Sequence, residues 1–477
     1  MRVLYLAVEA APLAKVGGLG DVASELPPAL IQLGLELRRF LPRYPFIDSA
    51  NLEAHQVASV RVFGRSADVF AAEVNGVPTY LIDGEPIRTS QDVYESPDLD
   101  GDKFTFFCLA ALEACEAMGW APDILHVNDW HTSPGLLAMS DRRRLGGFWA
   151  RTVSLLTVHN LPYMGAGAEG ALADYGIAPS EEPLLPSWSR RLPLPAGLAA
   201  ADWLSTVSPG YADEIQTPEF GCGLEDYLAS RRDRLVGILN GIDLKVWDPA
   251  TDAALATRYT LGTLEARAAN KRRLQQELGL PQLQDVPLLG MVTRLVHQKG
   301  VDLALLALQQ LKGEAWQFVV LGTGETALED AAVRFAGEHP DRAHAVRRFD
   351  GGLARLIYAG SDMLLLPSRY EPCGLAQMIA MRYGSVPVAR ATGGLRDTVP
   401  DYQPGGKGLG FVFGPPEPTA MAGALRRALA AFADRRRWAG LQRRGMRQDF
   451  SWTRSAEAYR RLYQRALDRR GSLAPDS

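Results

Sequence analysis

A chain of 477 residues, 47% of them hydrophobic, has the material for two or more buried cores rather than one. Its net charge of −4 supplies no overall basic field, which argues against nucleic acid as a partner. No apolar stretch is long enough to cross a bilayer, the run before Glu9 is too brief for a secretory signal, and four scattered cysteines form no Cys-x-x-Cys, so a soluble, reduced, cytoplasmic protein without membrane contact is expected.

Taken in chain order, strand-like apolar runs alternate with helical periods. They are Val3–Val8, Leu37–Leu41, Ile124–Val127, Val153–Val158 and Leu204–Val207, then Leu288–Val292, Phe318–Leu321, Ala345–Phe349, Met363–Leu366 and Val386–Val388. This βαβ alternation predicts an α/β protein with parallel sheets, whose ligands bind beyond the carboxyl ends of the strands. Each half has its own series, and the stretch from Asn240-Gly241-Ile242-Asp243 to Asp248-Pro249 reads as the crossover between them. Cys108 and Cys115 share a predicted helix two turns apart, roughly 10 Å and beyond disulfide reach. A Pro/Gly-rich segment, Pro400 to Pro418, precedes the closing helices. Near the end, arginines from Arg435 to Arg470 alternate with Trp438, Leu441, Met446, Trp452, Tyr459, Leu462 and Leu467. That spacing predicts the solvated faces of amphipathic helices rather than a nucleic-acid patch.

Lysine is scarce, so Lys15 at the head of Lys15-Val16-Gly17-Gly18-Leu19-Gly20-Asp21-Val22 draws attention. A glycine-rich turn opening a helix can offer backbone N–H groups to a phosphate, and the lysine adds a full charge. The same segment matches the dinucleotide fingerprint G-x-G-x-x-A at Gly18–Ala23. Two observations count against that reading: about nine residues separate Val8 from Gly18, and no acid ends the next strand at Phe40-Leu41-Pro42-Arg43. A second match, Gly322-Thr323-Gly324-Glu325-Thr326-Ala327, also lacks the acid and reads as a tight strand-to-helix turn. An echo of the first loop, Gly393-Gly394-Leu395-x-Asp397, fits either two similar halves or chance similarity of two helix starts.

Arg294 and Lys299 follow the strand Leu288–Val292 and lie five apart around a turn, where two fixed cations suit a diphosphate. The alternative is an exposed loop pair binding only water. Glu371 precedes the glycine turn Pro372-Cys373-Gly374-Leu375 and can accept hydrogen bonds from sugar hydroxyls or serve as a helix cap.

Six segments in order carry a resemblance. They are Lys15-Val16-Gly17-Gly18-Leu19, His126-Val127-Asn128-Asp129-Trp130-His131, Thr157-Val158-His159-Asn160, Ile238-Leu239-Asn240-Gly241-Ile242-Asp243, Thr293-Arg294-Leu295-Val296-His297-Gln298-Lys299-Gly300 and Pro367-Ser368-Arg369-Tyr370-Glu371-Pro372-Cys373-Gly374-Leu375. From Met1 to about Arg465 the chain resembles the bacterial glycogen synthase and plant starch synthase family, retaining glycosyltransferases with two Rossmann-like domains (the GT-B fold). The resemblance implies two parallel-sheet domains facing across a cleft, 1–245 and 246–448, with a C-terminal helix and tail, 449–477, crossing back to the first. Domain closure would exclude water from the donor.

The resemblance also implies site residues. Lys15, Gly17, Gly18 and Asp21 would contact the donor, with Asn240, Cys373, Gly374, Leu375 and Phe349 also on the donor side. Phe349 stands where some members have a tyrosine near the base. His159, Glu371, Lys299, Arg294 and Asp129 would be catalytic, with Asp129 on the acceptor side, and Tyr94 would line the cleft. The implied partners are a nucleotide sugar, which is a substrate rather than a cofactor, and an α-glucan acceptor; no cofactor and no metal are expected. His126 and His131, which could be read as metal ligands, are expected to be structural. ADP-glucose is the expected donor and a linear α-1,4-glucan the acceptor; UDP-glucose, another acceptor or a silent glucan-binding homologue are the alternatives. A silent homologue is expected to have lost Lys15, His159, Arg294, Lys299 or Glu371, and all five are present.

Three departures stand out. The position eight after Glu371, a ribose-binding acid in many GT-B enzymes, is Ile379, which favours the glycogen and starch synthases. Val16 and Gly20 occupy variable positions. Arg39 replaces a small aliphatic residue, so either it finds a partner or its strand lies at a sheet edge.

Overall fold

The computed structural model describes residues 1–48 and 51–471; the expected tail beyond Gly471 lies outside the described residues. The chain divides into two compact units: Met1–Gly241 together with the segment from Trp452 onward, and Ile242–Ser451.

The first unit holds a nine-stranded sheet. Its strands are β1 (Arg2–Leu6), β2 (Glu36–Pro42), β3 (His55–Val62), β4 (Arg65–Val74), β5 (Val77–Gly84), β6 (Ile124–Asn128), β7 (Val153–Val158), β8 (Trp203–Thr206) and β9 (Leu235–Gly237). Their order is β3-β4-β5-β2-β1-β6-β7-β8-β9. β6 and β7 are buried along their whole length, as parallel strands covered on both faces must be. Pairing is parallel from β5 through β9, whereas β3, β4 and β5 form an antiparallel meander that the apolar runs did not announce.

The second unit holds β10 (Leu288–Val292), β11 (Gln317–Leu321), β12 (Ala343–Val346), β13 (Met363–Leu366), β14 (Val386–Arg390) and β15 (Phe411–Phe413). The order is β12-β11-β10-β13-β14-β15, and every pairing is parallel. β12 stops at Val346, three residues before Phe349, which stands 94% exposed in the following loop rather than in a strand.

Strand order positions the chemistry. From β1 the chain passes to β2, then to the edge strand β3 and back through β4 to β5 beside β2, before β6 is placed on the other side of β1. From β10 it runs out to β12 and returns to β13 beside β10. Each sheet therefore has one switch point, between β1 and β6 and between β10 and β13, where loops leaving the carboxyl ends diverge and leave a crevice.

β2 lies between β5 and β1, so Arg39 sits in an interior strand and is buried. Its guanidinium donates to the Ala23 carbonyl at 2.9 Å and to Thr79 Oγ1 at 2.8 Å; burial lowers its pKa to about 10, which leaves it charged at neutral pH. The arginine-rich end is amphipathic: Trp438, Leu441, Met446, Trp452, Tyr459 and Leu462 are buried, while Arg435 and Arg437 pair with Asp285 and Asp434. The final helix, Trp452–Gly471, buries Ala456, Tyr459, Tyr463 and Ala466 in the same core as Val3, Tyr5, Val22 and Leu26.

Candidate active site

In the first unit the loop leaving β1 carries Glu9, Lys15 and the glycines. The helix Gly18–Gln32 begins with Gly17 as its N-cap. A Cβ on Gly17 or Gly18 would meet nothing within 4 Å, so packing does not require glycine there. Lys15 Nζ meets Asp21 Oδ1 at 2.6 Å, with half of the lysine side chain exposed. Not all of the loop's amides are open to a phosphate, as a bare glycine-rich turn would suggest. Val16 N and Gly17 N donate to Glu9 Oε2 at 2.7 and 2.8 Å, and Glu9 is 2% exposed. Tyr94 hydroxyl donates to the other oxygen, Oε1. Tyr94 therefore reaches the site through Glu9.

Beside β1, the end of β6 presents Asn128 and Asp129, and β7 leads into His159. Asp129 is buried and adopts a left-handed backbone, φ 54°, rare for a residue with a side chain. That twist turns its carboxylate to accept the His159 N–H at 2.7 Å. Burial raises the Asp129 pKa to about 7, against the lowering effect of the backbone donors of His159 and Asn160; the Glu9 charge adds to the rise. Asn128 Nδ2 donates to the Leu6 carbonyl at 2.9 Å, so its Oδ1 is the acceptor for His159 Nε2 at 2.9 Å. Burial pushes the His159 pKa down to about 3, so the ring is neutral with its proton on Nε2 and Nδ1 is an acceptor. Asn240, at the end of this unit, is buried with Oδ1 unpartnered among the described residues, a polar atom that a bound hydroxyl could satisfy.

The two histidines of the β6 motif, His126 and His131, are buried. His126 places one ring nitrogen on Tyr463 hydroxyl and the other on Thr157 Oγ1, both at 2.7 Å, so neither is open to a metal. His131 packs against Trp130, Tyr94 and Phe104. Cys108 and Cys115 are buried free thiols on the helix Pro97–Ala117.

In the second unit a cavity of about 190 Å³ opens at the β10–β13 switch point. Thr293, Lys299, Ser368, Glu371, Gly374 and Leu375 are among the residues that line it. Larger hollows exist, including one of about 590 Å³ beside Trp203 and Arg470, but none of the expected site residues lines that one. Lys299 Nζ lies 2.6 Å from Glu371 Oε2, and Ser368 hydroxyl donates to the same oxygen at 2.9 Å. Glu371 Oε1 makes no hydrogen bond among the described residues. It is an open acceptor on a carboxylate that is 8% exposed. Arg294, on the same loop as Lys299, is exposed and unpaired among the described residues.

Glycines hold these loops together. Gly300, which follows Lys299, has φ 69°, and a Cβ there would lie 2.2 Å from the Pro367 carbonyl, so only glycine lets the lysine loop approach the Glu371 loop this closely at that point. Gly322 and Gly324 approach the backbone of Thr293 and Leu295 the same way, at 1.8 and 2.2 Å from a built Cβ. The second fingerprint match is thus a brace for the Arg294 loop. Gly374, at φ 73°, turns beneath Gln377, whose Nε2 donates to the Cys373 and Gly374 carbonyls. Cys373 is buried and Leu375 lines the cavity; Phe349 does not.

The structure thus brings Lys299, Glu371, Gly374 and Leu375 to one cavity, Asp129 to His159, and Lys15 to Asp21. It adds three residues to which no role was given: Glu9, Asn128 and Ser368. Glu9 carried a signal in retrospect, a lone carboxylate ending an apolar strand run.

Comparison with known proteins bears on this geometry. The family model described as "Starch synthase catalytic domain" matches residues 2–230, and "Glycosyl transferases group 1" matches residues 275–442. A glycogen synthase of Syntrophotalea carbinolica is 42% identical, over 98% of this chain and 99% of its own. One from an Anaeromyxobacter species is 43% identical, over 97% and 99%. The catalytic domain of starch synthase IV from Arabidopsis thaliana, solved bound to ADP and acarbose, superposes with a TM-score of 0.87 at 33% identity, covering 98% of this chain and 99% of that one. Sucrose-phosphate synthase from Thermosynechococcus elongatus shares the fold, with a TM-score of 0.61 at 20% identity, covering 98% and 99%. With two Rossmann-like parallel-sheet units and near-full-length similarity, the chain belongs to the glycogen synthase and starch synthase family of GT-B glycosyltransferases.

Proposed function

We propose that this glycosyltransferase moves glucose from ADP-glucose to the non-reducing end of a linear α-1,4-glucan, with retention of the α-configuration. The observation that carries the reading is the Lys299–Glu371 pair at 2.6 Å, walling a switch-point cavity whose loop also bears the exposed Arg294. Two cations on one loop suit a leaving diphosphate, one as a planar fork and one as a point charge. They would stabilise negative charge as it develops on the departing phosphate. The open Oε1 of Glu371 accepts a hydroxyl of the donor sugar. The similarity to a starch synthase whose structure holds ADP supports an adenine nucleotide over a uridine one.

In the first unit, neutral His159 accepts a sugar hydroxyl at Nδ1 while Asn128 holds its other nitrogen. Asp129 faces the acceptor, and Lys15 adds positive charge for the phosphates. The incoming 4-hydroxyl attacks on the face from which the diphosphate leaves, through an oxocarbenium-like state.

The test offers ADP-glucose and UDP-glucose, each labelled, with maltooligosaccharides as acceptor, and follows products by mass and by anomeric NMR coupling. Chain extension from ADP-glucose with only α-1,4 linkages is expected. Preference for UDP-glucose would overturn the donor assignment, and β-linked product would overturn retention.

A further inference from the structure

We propose that Glu9, gripped by Tyr94, is the positioning residue of the first unit: it holds the Lys15–Gly18 loop by its own amides and so sets where Lys15 stands. The inference rests on the glycosyl-transfer reading above. Glu9 is 2% exposed and pairs with no cation among the described residues. A carboxylate buried that way is costly unless its lone pairs are filled. Here the loop fills one oxygen, through Val16 N at 2.7 Å and Gly17 N at 2.8 Å, and the Tyr94 hydroxyl donates to the other. Bonds of this kind to an ionised acceptor are the stronger class of hydrogen bond.

The fit is close on the inner side of the loop. A Cβ on Gly20 would lie 3.1 Å from Glu9 Oε2 and 3.1 Å from Lys15 Cγ, so Gly20 leaves the room in which carboxylate and lysine stem lie side by side. Tyr94 is fixed in turn. Its ring packs 5.1 Å from His131 and 6.1 Å from Phe104. The segment that carries it is anchored by buried Lys103, whose Nζ lies 2.8 Å from Asp100 Oδ1 and 3.2 Å from Glu95 Oε2. A chain of contacts therefore runs from Lys103 through the Tyr94 segment to Glu9 and into the loop.

Val16 N and Gly17 N face inward to Glu9, and Gly20 N bonds to Gly17 O. The loop therefore presents the Lys15 ammonium at a place fixed from behind.

The test compares Glu9→Ala, Glu9→Gln and Tyr94→Phe, reading both nucleotide-sugar kinetics and hydrogen exchange of the peptide spanning Val16 and Gly17. Glutamine keeps an oxygen for the two amides and turns its NH₂ to the Tyr94 oxygen. Glu9→Ala is expected to lower kcat/KM for the nucleotide sugar about tenfold or more, the scale of one or two lost hydrogen bonds, and to leave KM for the glucan unchanged. Exchange at Val16 and Gly17 should accelerate with it. Glu9→Gln should restore protection and most of kcat/KM, and Tyr94→Phe should fall between. Wild-type exchange and kinetics in Glu9→Ala would overturn the proposal, as would a Glu9→Gln variant as impaired as Glu9→Ala. If Glu9→Ala does not fold, slowed transfer and faster loop exchange in Tyr94→Phe but not in Glu9→Gln support it, and equal behaviour of those two overturns it. Absence of transfer by the wild type condemns the functional reading alone, because the exchange comparison still decides whether the clamp exists.

Discussion

Asp129 combines a left-handed backbone with a buried carboxylate, and each has a cost the rest of the unit must offset. Its pKa is raised from 3.8 to about 7, so between those values the folded chain holds a proton that the unfolded chain has lost. By linkage, that contribution to stability is present at low pH and is lost as pH rises toward 7. Asn at this position tolerates φ > 0 and does not ionise. Asp129→Asn should therefore gain on wild type by roughly 2–3 kcal/mol between pH 5 and pH 8, read from urea unfolding at each pH. A difference that does not change with pH would contradict the burial argument. None of this was legible in the sequence, where Asp129 was marked by its motif alone; a backbone twist at the residue that follows a strand leaves no composition signal. His159 was found as a residue, but its proton on Nε2 follows only from Asn128 and Leu6.

At the scale of elements, the two similar loops separate. Gly17 and Gly18 face open space, whereas a Cβ on Gly393 or Gly394 would lie 2.0 Å from the Glu371 or Cys373 carbonyl. The echo is one of helix starts, not of function: one loop is cleared for something to approach, the other is packed against the loop that carries Glu371. Gly17→Ala should cost less than about 1 kcal/mol of stability, the usual range for an N-cap change. Gly394→Ala must push back the Cys373 backbone and should cost more than about 3 kcal/mol. Equal melting temperatures for the two variants would contradict this division. The parallel strands were readable because burial on both faces writes a continuous apolar run. The meander β3–β5 was passed over because its strands alternate and are half exposed. Its turns did leave a signal: Phe63-Gly64 and Asn75-Gly76 both have positive φ, and Asn-Gly between alternating strands marks a two-residue hairpin.

For the molecule as a whole, chain order and structural unit differ at one place. The segment from Trp452 returns to the first unit's core, where Tyr463 hydroxyl meets His126 and Tyr459 and Ala456 are fully buried. A fragment ending at Gly241 should thus expose that apolar face and aggregate, whereas residues 242–451 should fold alone with a cooperative urea transition. Cooperative unfolding of 1–241 by itself would contradict this. The division into two sheets was legible from the alternation, and the Lys299–Glu371 pair was legible only through motifs, since the two residues are 72 apart in the chain and meet because β13 lies beside β10. Whether this pair works on a sugar nucleotide is decided by incorporation of labelled glucose from ADP-glucose into α-glucan by wild type, Lys299→Ala and Glu371→Ala. The wild type should extend the glucan, and each variant should lose about 10²–10³-fold in kcat, as expected when one charge stabilising the transition state is removed. Wild-type rates in both variants would contradict the claim.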